Sequence, residues 1–379
     1  MKIENNQIGK PLIYIVIIIS IIALIFTIVA ESEGKQEVSS PPAGSFSVEA
    51  SQQTDFMPDE GDAADDPAIW VNPNNPDKSY VVGTNKKRGL DVYDMSGRLV
   101  FRNEIGRVNN VDLRAGIKIG DSEKIIIAAS NKTGSRIEVL VLNPNNGELT
   151  EILEQPIKLD SEEQTYGFCM YHSQKTGDLF AFVNDKSGLF EQWQLRDNGK
   201  NQITGEKVRS FRVKSQPEGC VADDANGVLF LGEEEFGLWK IAAEPDASNT
   251  LTLIDKVALG ETNGGKLFAD VEGVSLYVSD SENKQQGYLV VSTQGNDSYT
   301  VYERTPPHKY RGVFTLNYQG SRVGDTDGLD IVSAPLGSDY PAGMLVVQDG
   351  IYEKPGQPKR TQNFKYVSWQ KIATQLKLN

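Results

Sequence analysis

Short apolar, strand-like runs recur along this chain behind a polar leader. The first is Ala68–Val71, directly after Asp65 and Asp66. The same shape, an acid or amide, often a Gly, then a strand, returns at Asn110, Tyr166, Glu218, Glu272 and Asp327. The leaders are 45, 56, 52, 54 and 55 residues apart. A period of roughly fifty in a strand-rich sequence is the signature of propeller blades.

A second series is interleaved with the first. About twenty residues after each leader, another apolar run ends in a polar turn. These ends are Lys86, Lys132, Lys186, the pair Glu233 and Glu234, Gln294 and Asp349. Further strands are predicted at Leu90–Tyr93, Ile137–Leu142, Glu191–Leu195, Leu238–Ile241, Tyr299–Tyr302 and Phe364–Trp369, with turn signals such as Asn143–Gly147 and Asp197–Gly199 between strands. Two series of six predict an all-β, six-bladed β-propeller over residues 45–379. Alternation at Phe46, Val48 and Ala50 predicts a strand that pairs with the last blade and closes the ring, leaving no open sheet edge. Gln370–Leu378 is read as one short outer helix.

The amino terminus is different. Leu12–Ala30 is a nineteen-residue apolar run behind Lys2 and Lys10, close to the roughly 20 residues that a bilayer span needs. Residues 1–30 are read as a signal peptide or membrane anchor, with the uncleaved anchor preferred, and 31–44 as a polar tether. The expectation is an exported or surface-held monomer that meets the membrane only through this segment.

The formal net charge is −14, from 38 basic and 52 acidic residues. That disfavours nucleic acid and suits cations, or a polyanion that arrives with them. The two cysteines, Cys169 and Cys220, stand at offsets of +3 and +2 from their leaders. Alternate positions on a strand face opposite ways, so buried free thiols are expected rather than a bridge. With only His172 and His308, histidine-based phosphatase chemistry has no motif to stand on.

In a propeller the innermost strands line the central channel and their starts meet at one mouth. Asp65, Glu218, Glu272 and Asp327 therefore converge, with Asp66, Asp112, Asp270 and Asp325 near them. Carboxylates packed together raise one another's pKa unless a cation holds them. Oxygen ligands without His or Cys select Ca²⁺ or Mg²⁺, and a loose mouth of several carboxylates suits several Ca²⁺ ions. The second series places Lys86, Lys132 and Lys186 on one half of the ring and Glu233 and Glu234 on the other. Such a site fits a highly phosphorylated anion.

The stretches Asp62–Trp70, Thr84–Lys87, Asn109–Arg114, Tyr171–Gly177, Ala222–Asp224 and Ser298–Arg304 resemble the β-propeller (alkaline) phytases, and the likeness runs from about residue 46 to 370. The resemblance implies a calcium-dependent phosphomonoester hydrolase of the 3-phytase type acting on phytate or calcium-phytate. It implies calcium-binding roles for Asp65, Tyr166, Glu218, Glu234, Asp270, Glu272 and Asp327, and phosphate-binding roles for Lys86, Lys132 and Lys186. The chain departs from that family at Lys132, where Arg is usual, at Gln53, where Glu can stand, and in the loop Tyr318–Gly324, which lacks an acid. The catalytic expectation is water, activated by calcium, attacking phosphorus in line, with Lys86, Lys186, Tyr166, Glu218 and Asp65 as its principal residues. The competing readings are a calcium-dependent propeller lactonase or esterase, which leaves three lysines unexplained, and a surface propeller that binds without catalysis.

Overall fold

The computed structural model describes residues 42–161, 163–259, 264–279, 286–351 and 361–378. The apolar run Leu12–Ala30 lies outside them, and with it the signal or anchor reading. Among the described residues no helix is long and apolar enough to cross a membrane.

Six sheets follow one another along the chain, each meandering outward from the axis. Their innermost strands are Ala64–Trp70, Val108–Ile119, Thr165–His172, Pro217–Asp223, Val271–Val278 and Leu329–Val332. The second strands of blades one, three and six, Tyr80–Asn85, Leu179–Asp185 and Met344–Asp349, are buried at every position. Blades stack face to face, so a strand in the middle of a blade has apolar neighbours on both sides. That is why these strands read as continuous apolar runs rather than alternating ones. Six apolar clusters fill the six blade junctions. Trp70, Val82 and Leu142 pack between blades one and two, and Phe182, Phe190, Phe211 and Leu231 between three and four.

The ring closes a few residues later than the alternation predicts. Phe46–Glu49 pairs in parallel with Tyr310–Tyr318, the outer strand of blade five. Gln52–Gln53 then pairs with Asn363–Ser368 as the outermost strand of blade six. The chain thus straps two blades before it enters blade one. The terminal helix, Trp369–Leu376, buries Trp369, Ile372 and Leu376 against Phe314 and Leu316 of blade five and ends at Lys377 in a left-handed conformation.

The two cysteines are joined in a disulfide, with Cα atoms 5.7 Å apart. This corrects the expectation of free thiols. Alternation does place Cys169 and Cys220 on opposite faces of their own blades. Consecutive blades, however, present opposite faces to each other, so opposite parity is what brings the two side chains into one cluster. The bridge joins the innermost strands of blades three and four just past Tyr166 and Glu218.

Close approach at the axis explains the glycine that follows four of the leaders. A Cβ on Gly167 would stand 1.9 Å from the Glu218 carbonyl oxygen, and one on Gly219 2.3 Å from that of Glu272. Gly273 and Gly328 donate backbone hydrogen bonds to the carbonyls of Asp327 and Asp65, at 2.7 and 3.1 Å.

Replacing both Cys169 and Cys220 by Ser should lower the unfolding free energy by about 2–4 kcal/mol, because a bridge across a loop this long constrains the unfolded chain. Urea denaturation reads this directly, and an unchanged midpoint would show that the blade junction holds without the bridge.

Candidate active site

At the start of each innermost strand in blades one to five the pairing register slips. The slips fall between Ala64 and Pro67, Val108 and Val111, Thr165 and Phe168, Pro217 and Cys220, and Val271 and Val274. Such bulges release a residue from the ladder and re-aim its side chain. Here the residues released include Asp65, Tyr166, Glu218 and Glu272. They converge at one mouth of the channel, in a cleft of about 320 Å³ lined in part by Lys86, Tyr166, Glu234, Asp270, Glu272 and Asp327.

Side chains from the second strands of blades two, three and five reach to the leader region of the next blade. Ser130 Oγ donates to the Tyr166 carbonyl at 2.6 Å and Asn184 Nδ2 to the Glu218 carbonyl at 3.0 Å. Ser292 Oγ donates to the Thr326 carbonyl at 2.8 Å. The channel acids do related work. Asp66 Oδ2 accepts from the Val111 amide at 3.0 Å, Asp112 Oδ2 from Met170 at 2.8 Å and Asp330 Oδ2 from Ile69 at 2.9 Å. Asp66 and Asp112, which the sequence grouped with the mouth, are therefore inter-blade ties below it.

Lys86 is the hub of one side. Its Nζ lies 2.8 Å from Asp62 Oδ1, 2.9 Å from Asp65 Oδ2 and 2.7 Å from Asp327 Oδ2. Burial works against its charge, but Asp65, Asp327, Glu218 and Asp62 outweigh burial and keep the ammonium protonated far above the usual range. Gln294 Nε2 donates to the other Asp327 oxygen at 2.6 Å.

Opposite stands a knot of three glutamates. Glu218, Glu234 and Glu272 each bring an oxygen to within 4.8 Å of the other two. Burial pushes the Glu272 carboxyl well up, and the neighbouring Glu218 adds to the push. Burial also acts to raise Glu218, yet hydrogen bonds from Glu272, Tyr166 and Asn109 and the Lys86 charge hold it below the carboxylate norm. The two carboxyls are thus pushed in opposite directions, Glu272 up and Glu218 down. Burial, with Glu218 and Asp270 nearby, lifts Glu234 to about 7. Asp327 also reaches about 7, and Asp65 stands well above the norm, both through burial first.

The lysines of blades two and three stack on one ring. Lys132 Nζ is 4.9 Å and Lys186 Nζ 4.3 Å from the Tyr166 ring centroid, within cation–π range. Burial lowers the Lys132 pKa. The Tyr166 phenol is kept protonated by burial and by Glu218, to which it donates. Asp270 lines the cleft on the glutamate side, its pKa raised by burial.

Two named candidates stand apart from this group. Glu233 is fully buried, and its carboxylate caps a loop: Oε1 accepts from the Lys214 and Ser215 amides and Oε2 from Trp239 Nε1 at 2.8 Å. Glu234 is the member of that acidic pair that turns to the mouth, where Gln216 holds it at 2.6 Å. Asp349 is buried in an ion pair with Lys365, 2.8 Å away. Sequence reasoning placed Gln294 in the second series but passed over Asp62, Gln216 and Asn109 as site residues, the last of which donates to Glu218 Oε1 at 2.7 Å.

The donor set fits a hard cation. Asp65 Oδ1 and Glu272 Oε2 are buried without a hydrogen-bond partner, and three carboxylates share one small volume, with no His or Cys in the group among the described residues.

A six-bladed propeller whose mouth sets three lysines against buried carboxylates is the scaffold of a hydrolase for anionic esters. The comparisons with known proteins name the family. The phytase family model matches residues 10–379. A 3-phytase of Bacillus subtilis (strain 168) is 42% identical over 338 residues, covering 87% of this chain and 86% of that protein. The chain belongs to the phytase family and is an enzyme of that class. Among solved structures, the β-propeller domain of Cps50 (Swd1) from Myceliophteria thermophila aligns with 79% of this chain and 82% of its own, at 11% identity and a TM-score of 0.41.

The raised carboxyls set the pH response of the metal-free protein. Asp327 and Glu234 titrate at about 7 when folded, against about 4 when free. Between those values the folded chain binds more protons than the unfolded one, so its stability falls as pH rises. In chelator, the melting temperature should be lower at pH 8 than at pH 5. A rise across that window would contradict the protonated acid cluster.

Proposed function

We propose that this chain hydrolyses the phosphomonoesters of phytate to lower inositol phosphates, with several calcium ions held at the mouth of the propeller. The observation that carries the reading is a cleft lined by Lys86, Tyr166, Glu234, Glu272 and Asp327, with Lys132 and Lys186 stacked on Tyr166, Asp65 paired with Lys86 and Glu218 grouped with the other glutamates. An uncharged lactone or ester would have no use for three ammonium groups there.

Asp65, Glu218, Glu234, Asp270, Glu272 and Asp327 would hold the ions, with Tyr166 as a further oxygen. Calcium bound there supplies positive charge for the phosphoryl oxygens and makes water more acidic. The chain's own groups do the rest. Lys86, kept charged by its acids, and Lys186 grip the phosphoryl oxygens as charge develops on them. Lys132 offers a single point of contact where an arginine would offer two. Tyr166, protonated and placed between two lysines and Glu218, orients both.

Water is the nucleophile in this reading. The only two thiols of the chain are joined in the disulfide. His308 packs on Phe230 and meets Lys240, away from the mouth. The disulfide also supports export, since such bridges persist in oxidising compartments. We hold accordingly to an extracellular or cell-surface enzyme.

The deciding assay is phosphate release from phytate with calcium and then with chelator. Turnover should be lost in chelator and restored by added calcium, and equal rates in both would overturn the calcium requirement. Lys86→Ala and Lys186→Ala should each cost about 2–4 kcal/mol of transition-state stabilisation. Lys132→Arg should hold or improve kcat/KM. Full activity in Lys86→Ala would mean that this lysine only neutralises its three aspartates.

A further inference from the structure

Among the described residues, blade two sends no carboxylate to the cleft at the mouth. Its leader, Asn110, lines the channel below. The residue before it, Asn109, is fully buried and reaches across to blade four. Its Nδ2 donates to Glu218 Oε1 at 2.7 Å and to Asn110 Oδ1 at 2.8 Å. Both of these partners are acceptor oxygens, so the amide turns its NH₂ end towards them. That fixes the orientation of the amide by its partners. The opposite end, Asn109 Oδ1, is then committed to a direction in which no hydrogen-bond donor meets it.

This orphan is not isolated. Asp65 Oδ1 and Glu272 Oε2 are also buried and without a partner, and both residues act electrostatically on Glu218 or are acted on by it. Buried polar atoms are almost always satisfied, and a set that is not points to an ion. These unsatisfied oxygens come from blades one, two and five, on residues that each interact with Glu218 of blade four. Each is a hard oxygen donor of the kind calcium takes.

We propose that Asn109 is the blade-two calcium ligand, binding an ion through Oδ1 while Nδ2 holds Glu218 in place. The inference rests on the calcium reading above. An amide suits this position better than an acid would. It adds an oxygen to the ion's shell without adding a fourth charge beside Asp65, Glu218 and Glu272. It also donates to Glu218, which a carboxylate cannot do. The spacing of leaders in the sequence points to Asn110, whereas the bulge between Val108 and Val111 turns Asn109 to the centre instead.

The test is calcium titration of the chelator-stripped protein by calorimetry, with the calcium-induced rise in melting temperature measured alongside. Asn109→Leu removes both ends of the amide, and Asn109→Asp keeps the oxygen but not the donor. The leucine variant should lose one ion from the stoichiometry or bind it at least tenfold more weakly, with a smaller calcium-induced melting shift. The aspartate variant should keep the full stoichiometry. Unchanged binding in a folded leucine variant overturns the ligand role. Equal loss in both variants overturns it too, because Asn109 would then act only by holding Glu218. If the leucine variant does not fold, the aspartate variant decides alone, and loss of an ion there overturns the proposal. A wild-type chain that takes up no calcium fails at the earlier step, and is distinguished from these outcomes by failing before any substitution is made.

Discussion

Gathering carboxylates at an axis that water scarcely reaches is the constraint from which this structure follows. Burial first, and then the neighbouring carboxylates, drive the pKa of Asp65, Glu272, Glu234 and Asp327 upward. Each must then be protonated, paired or bound to a cation. The chain uses the first two within its own covalent structure. Glu272 shares a hydrogen bond with Glu218, and Lys86 answers three aspartates at once. What these leave unsatisfied is a set of oxygens, and that remainder defines the chemistry of the mouth.

Such a site needs a rigid frame, because like charges placed together push their strands apart. Inner strands of neighbouring blades do not share a ladder. Their spacing depends on side chains and on a few backbone contacts across the junction. Ser130, Asn184 and Ser292 reach forward to leader-region carbonyls, while Asp66, Asp112 and Asp330 bond amides of the adjoining blade. At the junction of blades three and four, Gly167 allows near contact with the Glu218 carbonyl, and the disulfide fixes the same pair of strands. The Tyr166–Glu218 contact therefore sits at a junction held both by a covalent bond and by hydrogen bonds.

Much of this was legible in the sequence because a repeat shows its period even where single blades are irregular. Six leaders and six second-strand ends fixed the blade count, and the positions of the three lysines and four carboxylates followed from it. What escaped is what depends on parity. The offset between Cys169 and Cys220 argued against a bridge only as long as the two strands were taken to present the same face. Glu233 and Glu234 are neighbours of one type, and only the end of the strand decides which turns inward. Asn109 was hidden behind Asn110 because a bulge moves the side chain that reaches the centre by one residue. Closure of the ring slipped for a different reason. A strand of four residues can serve either blade at the seam, and Phe46–Glu49 serves blade five.

The seam carries one more feature. Lys365 is wholly buried, its ammonium 2.8 Å from Asp349 Oδ2, 2.5 Å from Asn363 Oδ1 and 3.1 Å from Gln53 Oε1. Burial lowers its pKa and raises that of Asp349, and each charge is the other's compensation. Three strands, one of them from the amino-terminal strap, are thereby drawn onto a positive centre surrounded by oxygen. A centre of this kind is attached to the backbone, so it is neither diluted in soft water nor withdrawn by the anionic substrate. The join between first and last blades is in this way kept apart from the carboxylates at the mouth, and the ring is held shut by a cation that is part of the chain itself.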